Sequence, residues 1–119
     1  MVVATALGRF GEGLAAEHLA EQGLRVLARN WRCSVGEVDI VAADGDTLVI
    51  CEVKTRRGVQ FGHPLEAVTP TKHGRLLRLA VEYRRHTGYP PARLRVDVVG
   101  VLVPRGGRPT IEHVRGVAW

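Results

Sequence analysis

Four charged residues lie close together in the stretch Val35 to Arg56, VGEVDIVAADGDTLVICEVKTR: Glu37, Asp39, Glu52 and Lys54. Side chains alternate across a strand, so Glu37 and Asp39 share one face of the first half, and Glu52 and Lys54 share one face of the second. Cβ atoms that oppose each other across a strand pair lie about 4.5–5.5 Å apart. Two carboxylates held that close repel at neutral pH unless positive charge stands between them. A hard divalent cation with oxygen ligands supplies that charge well. A neighbouring lysine adds a compact point charge. The plainer alternative is an ordinary Glu37–Lys54 ion pair with Asp39 in water. Apolar residues flank both aspartate and glutamate closely, which argues against a simple solvated face.

The element that must position these groups is a β-hairpin. Asp44-Gly45-Asp46 is the turn signal, flanked by the alternating runs Val38-Asp39-Ile40-Val41 and Leu48-Val49-Ile50-Cys51. With Gly45-Asp46 as the loop, paired residue numbers sum to 91, and Asp39 faces Glu52 while Glu37 faces Lys54. With Asp44-Gly45 as the loop the sum is 89, and Glu37 faces Glu52 with Asp39 diagonal to it. Either loop keeps all four groups on one face. A bulge or an odd loop would not.

The rest of the chain supplies two helices and three more strands. Residues 8–22 read as a helix closed by Gly23, with Gly8, Glu12, Ala15, Ala16, Leu19 and Gly23 on one stripe. Seven residues turn about 700°, so Glu12 lies within ~20° of Leu19. Spacing alone leaves Glu12 equally a packing-face group or a wet residue near the helix start. Leu24 to Trp31 is a first strand with one mixed face, as suits a sheet edge, and Arg32 to Ser34 turns into the hairpin. Thr55 to Thr71 reads as a loop of about seventeen residues, a length usually tied to function or disorder. It opens with Arg56 and Arg57, and it carries Gln60, Phe61 and His63, which could reach a ligand; taken singly, Phe61 and His63 read as loop packing.

Pro70 starts a second helix, about 71–87, closed by Gly88. Lys72 heads its apolar stripe of Leu76, Leu79 and Tyr83, which predicts that Lys72 projects toward the sheet. Arg75, Arg78 and Arg85 lie on another side. After the linker Tyr89-Pro90-Pro91, Arg93 to Val103 is apolar enough for a central strand. Asp97 is its lone acid, with Arg95 a candidate partner. Pro104 to Pro109 turns into a final strand, Thr110 to Trp119.

A chain of 119 residues is one domain, 1–119, long enough to bury a core. The net charge of +5 favours a polyanionic partner. That charge comes from fifteen arginines and only two lysines, Lys54 and Lys72. In so Arg-biased a chain the two surviving lysines stand out, because a tight site can accept a compact ammonium where it would exclude the guanidinium fork. Two cysteines are too few for a disulfide framework or a zinc site, and Cys51 reads as core. No segment approaches the ~20 apolar residues of a membrane span, and Met1 to Leu7 makes a poor signal peptide. A reducing cytoplasm fits these features.

The ordered set of motifs resembles the PD-(D/E)XK nuclease superfamily. Glu52-Val53-Lys54 matches its E-x-K element, and Asp39 in Gly36-Glu37-Val38-Asp39-Ile40 matches the preceding acid. Within it the chain looks closest to the YraN-like family, itself similar to archaeal Holliday junction resolvases. Gly8-x-x-Gly11-Glu12, Asn30-Trp31-Arg32, Phe61-Gly62, Ala67-Val68, Lys72 and Arg95-Val96-Asp97-Val98-Val99 extend the resemblance over nearly the whole chain. One departure is Val38, where the motif usually has proline. The resemblance implies an α/β restriction-endonuclease-like fold: a mixed five-stranded sheet with the hairpin at its centre and the two helices flanking it.

It also implies a divalent-metal-dependent endonuclease for structured or branched DNA. Glu12, Asp39, Glu52 and Lys54 would be catalytic. Mg²⁺ (or Mn²⁺) would be held by Asp39, Glu52, the Val53 carbonyl and Glu12, with Glu37 as an accessory group. Arg56, Arg57, Lys72, Arg75 and Arg78 would contact the nucleic acid. A homodimer is expected by analogy with a two-fold symmetric junction. Two other classes compete: a nucleic-acid-binding module on a nuclease fold with little or no catalysis, and a protein-interaction domain. Only the first requires a divalent ion for turnover.

Overall fold

A computed structural model describes residues 5–58, 66, 68–90 and 92–117. Its elements run α1 (Ala6–Glu21), β1 (Arg25–Cys33), β2 (Gly36–Asp44), β3 (Thr47–Arg56), α2 (Pro70–Thr87), β4 (Arg93–Leu102) and β5 (Thr110–Val114). The strands form one sheet in the order β1-β2-β3-β4-β5. The pairs β1–β2, β2–β3 and β4–β5 are antiparallel, and β3–β4 is parallel. A parallel pair needs a crossover, and α2 supplies it.

Both helices begin where the sequence offers a cap. The Thr5 hydroxyl accepts from the Gly8 amide at 2.9 Å, and the Thr69 hydroxyl accepts from the Lys72 amide at 3.2 Å. Gly88 ends α2 in the left-handed conformation, φ 73°. The chain thus forms the mixed five-stranded sheet flanked by two helices that the resemblance implies. The final strand is shorter than its apolar pattern predicts. It ends at Val114, because Gly116 turns with φ 66° and gives its amide to Asp97 at 3.0 Å.

Strand alternation sorts the core into two layers. Val49 and Cys51 of β3 and Val99 and Val101 of β4 pack with Ala15 and Leu19 of α1. Leu48 and Ile50 of β3 and Val96 and Val98 of β4 pack with Leu76, Leu79, Ala80 and Tyr83 of α2. The sheet is therefore buried on both sides at its centre, while β1 forms an edge, as its mixed face suggests. At Gly11 the α1 backbone lies so close to β3 that a Cβ there would overlap the Thr55 side chain. This contact seats the first turns of α1 against the sheet.

Asp97 lies on the α1 side of β4 and is fully buried. Its carboxylate accepts from Arg95 Nε at 2.8 Å and Arg95 NH2 at 3.0 Å, from His113 Nε2 at 2.8 Å and from the Gly116 amide. Burial raises its pKa, but the bonds from His113, Arg95 and Gly116 outweigh that and hold it below the ordinary carboxylate value. The expected Arg95 pairing is present, and it fastens β5 and the following turn to β4.

Candidate active site in the β2–β3 fork

The hairpin register obeys the sum of 91: Asp44 pairs with Thr47, and Ile40 with Cys51. Beyond Ile40 the β2–β3 ladder stops. The first half of β2 goes on pairing with β1, down to Cys33↔Gly36, and β3 goes on pairing with β4, out to Arg56↔Leu102. The sheet forks there. Asp39 spans the opening: its Oδ2 accepts the Val53 amide at 2.8 Å. A side-chain carboxylate takes the donor that the β2 backbone no longer reaches.

Asp39 also faces Glu52, and the two carboxyl groups lie close enough to repel each other. Burial is the larger cause, and the Glu52 charge the second, that push Asp39 up to about 8, against the lowering effect of the Val53 amide. Lys72 reaches in from α2, with its Nζ 3.0 Å from Glu52 Oε2. Its place at the head of the buried stripe is what the spacing of Leu76, Leu79 and Tyr83 requires.

These groups line a cleft of about 460 Å³. Glu12, Glu37, Asp39 and Glu52 form its floor, and Arg9, Arg32, Lys72 and Arg75 stand around them. Glu12 is only 7 % exposed, which resolves its position in favour of the packing face. Burial raises its pKa most; Arg29 opposes this, and Glu37 and Glu52 add to it. The three arginines of the rim are exposed. An acidic floor under a basic rim suits a cation below and a polyanion above.

Alternation breaks at a bulge between Val26 and Ala28 in β1, and again within β2. Val38 packs in the α2 layer but Ile40 packs in the α1 layer, although two residues apart on a strand should share a face. The pleat is reset between them, opposite Asn30, which has φ 51°. Glu37 consequently does not make the cross-strand pair with Lys54. Its carboxylate lies 3.2 Å from Arg32 Nε instead. Lys54 is exposed and does not line the cleft.

A search by family model matches residues 11–101 to the uncharacterised protein family UPF0102. The chain belongs to UPF0102. Curated members are similar over nearly their full length. A UPF0102 protein of Streptomyces griseus is 61 % identical over 114 residues, covering 95 % of this chain and 96 % of the relative. One from Kineococcus radiotolerans is 55 % identical, covering 95 % and 93 %. One from Parafrankia sp. is 52 % identical, covering 98 % of each. The UPF0102 match contains Glu12, Asn30, Asp39, Glu52, Lys54 and Lys72.

The UPF0102 fold thus gathers Glu12, Glu37, Asp39, Glu52, Lys72 and Arg75 into one cleft, drawn from α1, β2, β3 and α2. Arg57 and Arg78 are exposed outside the cleft-lining set, and Arg56 is half-buried at the end of β3. Gln60, Phe61 and His63 lie outside the described residues. Among the described residues, no three of His, Cys, Asp and Glu stand together as a ready metal cage, and no helix is long and apolar enough to cross a membrane. Sequence reasoning gave Asn30 no role, although asparagine inside a strand, a poor strand former that tolerates positive φ, is a signal in itself.

Proposed function

We propose that this chain is a divalent-metal-dependent endonuclease that hydrolyses phosphodiester bonds in branched or structured DNA. The observation that carries the reading is the facing of Asp39 and Glu52 at the mouth of a sheet fork, on the floor of a basic-rimmed cleft. Two hard carboxylates suit Mg²⁺ or Mn²⁺, which bind one or two carboxylates and keep several waters. In a strand, a residue's N–H and C=O point to the same side. The Val53 carbonyl would then face the fork with its amide and could serve as a third oxygen donor, and Glu12 lines the neighbouring cleft. Bound there, a divalent cation would supply Lewis-acid chemistry, activating a water and offsetting phosphate charge.

The remaining work falls to side chains. Glu12 orients the attacking water. The water oxygen bonds to phosphorus as the ester oxygen leaves with a proton. Lys54, exposed beside Glu52 in sequence, meets the phosphate from the solvent side and stabilises its developing charge. Lys72 contacts a phosphate from within the cleft, and Arg56, Arg57, Arg75 and Arg78 contribute salt-dependent affinity for the backbone. Glu37 is accessory. A homodimer matches a two-fold junction, and the cytoplasm is the expected compartment.

A second reading is favoured by one contact. Lys72 already neutralises Glu52 at 3.0 Å, as it would in a nucleic-acid-binding module that has little or no need of metal. The test is cleavage of labelled four-way junction, flap, duplex and single-stranded DNA with Mg²⁺, Mn²⁺ or EDTA, by the wild-type chain and by Asp39→Ala. Metal-dependent nicking that the substitution abolishes supports the nuclease. Salt-sensitive binding without cleavage supports the module.

A further inference from the structure

We infer that Asn30 is the positioning residue of this site: its side-chain amide clamps Glu12 and Glu37, and its left-handed backbone aims it at them. The inference rests on the nuclease reading for its consequence, but its geometry stands alone. Asn30 lines the cleft from edge strand β1. With its nitrogen turned to the carboxylates, Nδ2 donates to Glu12 Oε1 at 2.9 Å and to Glu37 Oε1 at 3.2 Å. The opposite orientation would set the amide oxygen against carboxylate oxygens, acceptor against acceptor, so chemistry fixes the choice.

The backbone explains how an exposed edge-strand residue reaches two acids of the cleft. Asn30 is the one described non-glycine residue with positive φ, 51°. Its neighbours show the effect. Arg29 pairs with Ile40, which packs in the α1 layer, whereas Trp31 pairs with Val38, and both belong to the α2 layer. Regular alternation would give the two pairs one face. The turn at Asn30 reverses the pleat, and its side chain enters the cleft. A residue held in a sparsely populated conformation beside a candidate site is a recurrent device for aiming a side chain.

The residue type follows from both demands. Glycine would accept φ 51° but has no donor. Aspartate tolerates the conformation better than most residues but only accepts when ionised, and would set a further carboxylate against Glu12 and Glu37. Alanine fails on both counts. Asparagine alone of these holds the turn and offers two N–H groups to two acids. One hydrogen goes to α1 through Glu12 and the other to β2 through Glu37, so the amide ties the helix to the strand across the cleft.

The test uses full-length Asn30→Gly, Asn30→Asp and Glu12→Ala chains and the Asn30→Gly/Glu12→Ala double variant. In the ¹H–¹⁵N spectrum of the wild-type protein the Asn30 side-chain amide signals should lie away from those of a free asparagine and shift in Glu12→Ala. Cleavage should fall by about 10–100-fold in Asn30→Gly, as for other outer partners of a reactive group, with metal-free DNA affinity unchanged. Asn30→Asp should not rescue it. The double variant should lose no more than Glu12→Ala alone, since Asn30 acts through Glu12. Wild-type cleavage by Asn30→Gly, a multiplied loss in the double variant, or an amide that ignores Glu12→Ala would each overturn the assignment. If the wild-type chain cleaves nothing, the nuclease reading fails, and the amide measurement still decides the clamp.

Discussion

The ammonium of Lys72 stands 3.0 Å from Glu52 Oε2, so the first turn of α2 neutralises one member of the carboxylate pair in β3. The pair is only partly exposed, Lys72 at 31 % and Glu52 at 16 %, so solvent screens it incompletely. A bound divalent cation would compete with Lys72 for the same carboxylate. Lys72→Gln should therefore bind Mn²⁺ several-fold more tightly, read as the loss of free Mn²⁺ signal by electron paramagnetic resonance. The same variant should bind DNA more weakly and lower the salt slope of binding by about one charge.

Asp39 gives a stability prediction of opposite sense to its role. Its folded-state pKa, about 8, lies above the ordinary 3.8 of the unfolded chain. The folded protein thus binds the proton more tightly. The resulting stabilisation is fully present below the unfolded value and is lost as pH rises through about 8. In metal-free buffer, stability should fall across that window. Asp39→Asn should flatten the fall and be more stable than wild type at pH 8, while showing no cleavage. Urea unfolding at several pH values checks the first claim, and the junction assay the second.

Asp97 titrates in the other direction. Its folded pKa is depressed, so its contribution is present above the ordinary carboxylate value and disappears as pH falls through the lower folded one. Asp97→Ala leaves Arg95 without its buried acceptor and should cost about 3–5 kcal/mol. The loss should be clear in urea midpoints at pH 7 and shrink toward pH 3. Asp97 does not line the cleft, so molecules that remain folded should keep metal-free DNA affinity.

Gly11 separates close approach from chemistry. A methyl group there meets the Thr55 side chain, and the cheapest relief is for α1 to move off β3. Gly11→Ala should destabilise the fold by about 1–3 kcal/mol. It should also reduce cleavage more than stability alone explains, because Glu12 rides on the same turn. Thermal melts and cleavage rates at a temperature where both chains are folded make the comparison.

Much of this arrangement is legible in the amino-acid sequence. The turn at Asp44-Gly45-Asp46 and two alternating runs fixed the hairpin register to one of two sums, and Ile40↔Cys51 selects between them. Lys72 was placed inward by a helical stripe whose other members are buried. These are local, periodic signals. The Asn30 turn is different: one residue reverses a pleat, and neither hydropathy nor spacing registers it. For that reason the expected Glu37–Lys54 facing failed while the Asp39–Glu52 facing is found. The length of β5 escaped too, because it is set by a distant carboxylate, Asp97, that captures the Gly116 amide.

The parallel pairing of β3 with β4 has a consequence for biosynthesis. It joins residues as distant as Thr47 and Arg93, with all of α2 between them. The hairpin β2–β3 is local and can form as soon as it leaves the ribosome, but its far flank stays unpaired until β4 has been made. Until then Lys72 has no fixed helix from which to reach Glu52. A nascent chain surrounded by RNA therefore carries its acidic residues and arginines but no assembled cleft. Any strand-cutting capacity would arise only after β4 docks, so late closure of the sheet would itself keep a growing chain harmless to the nucleic acid around it.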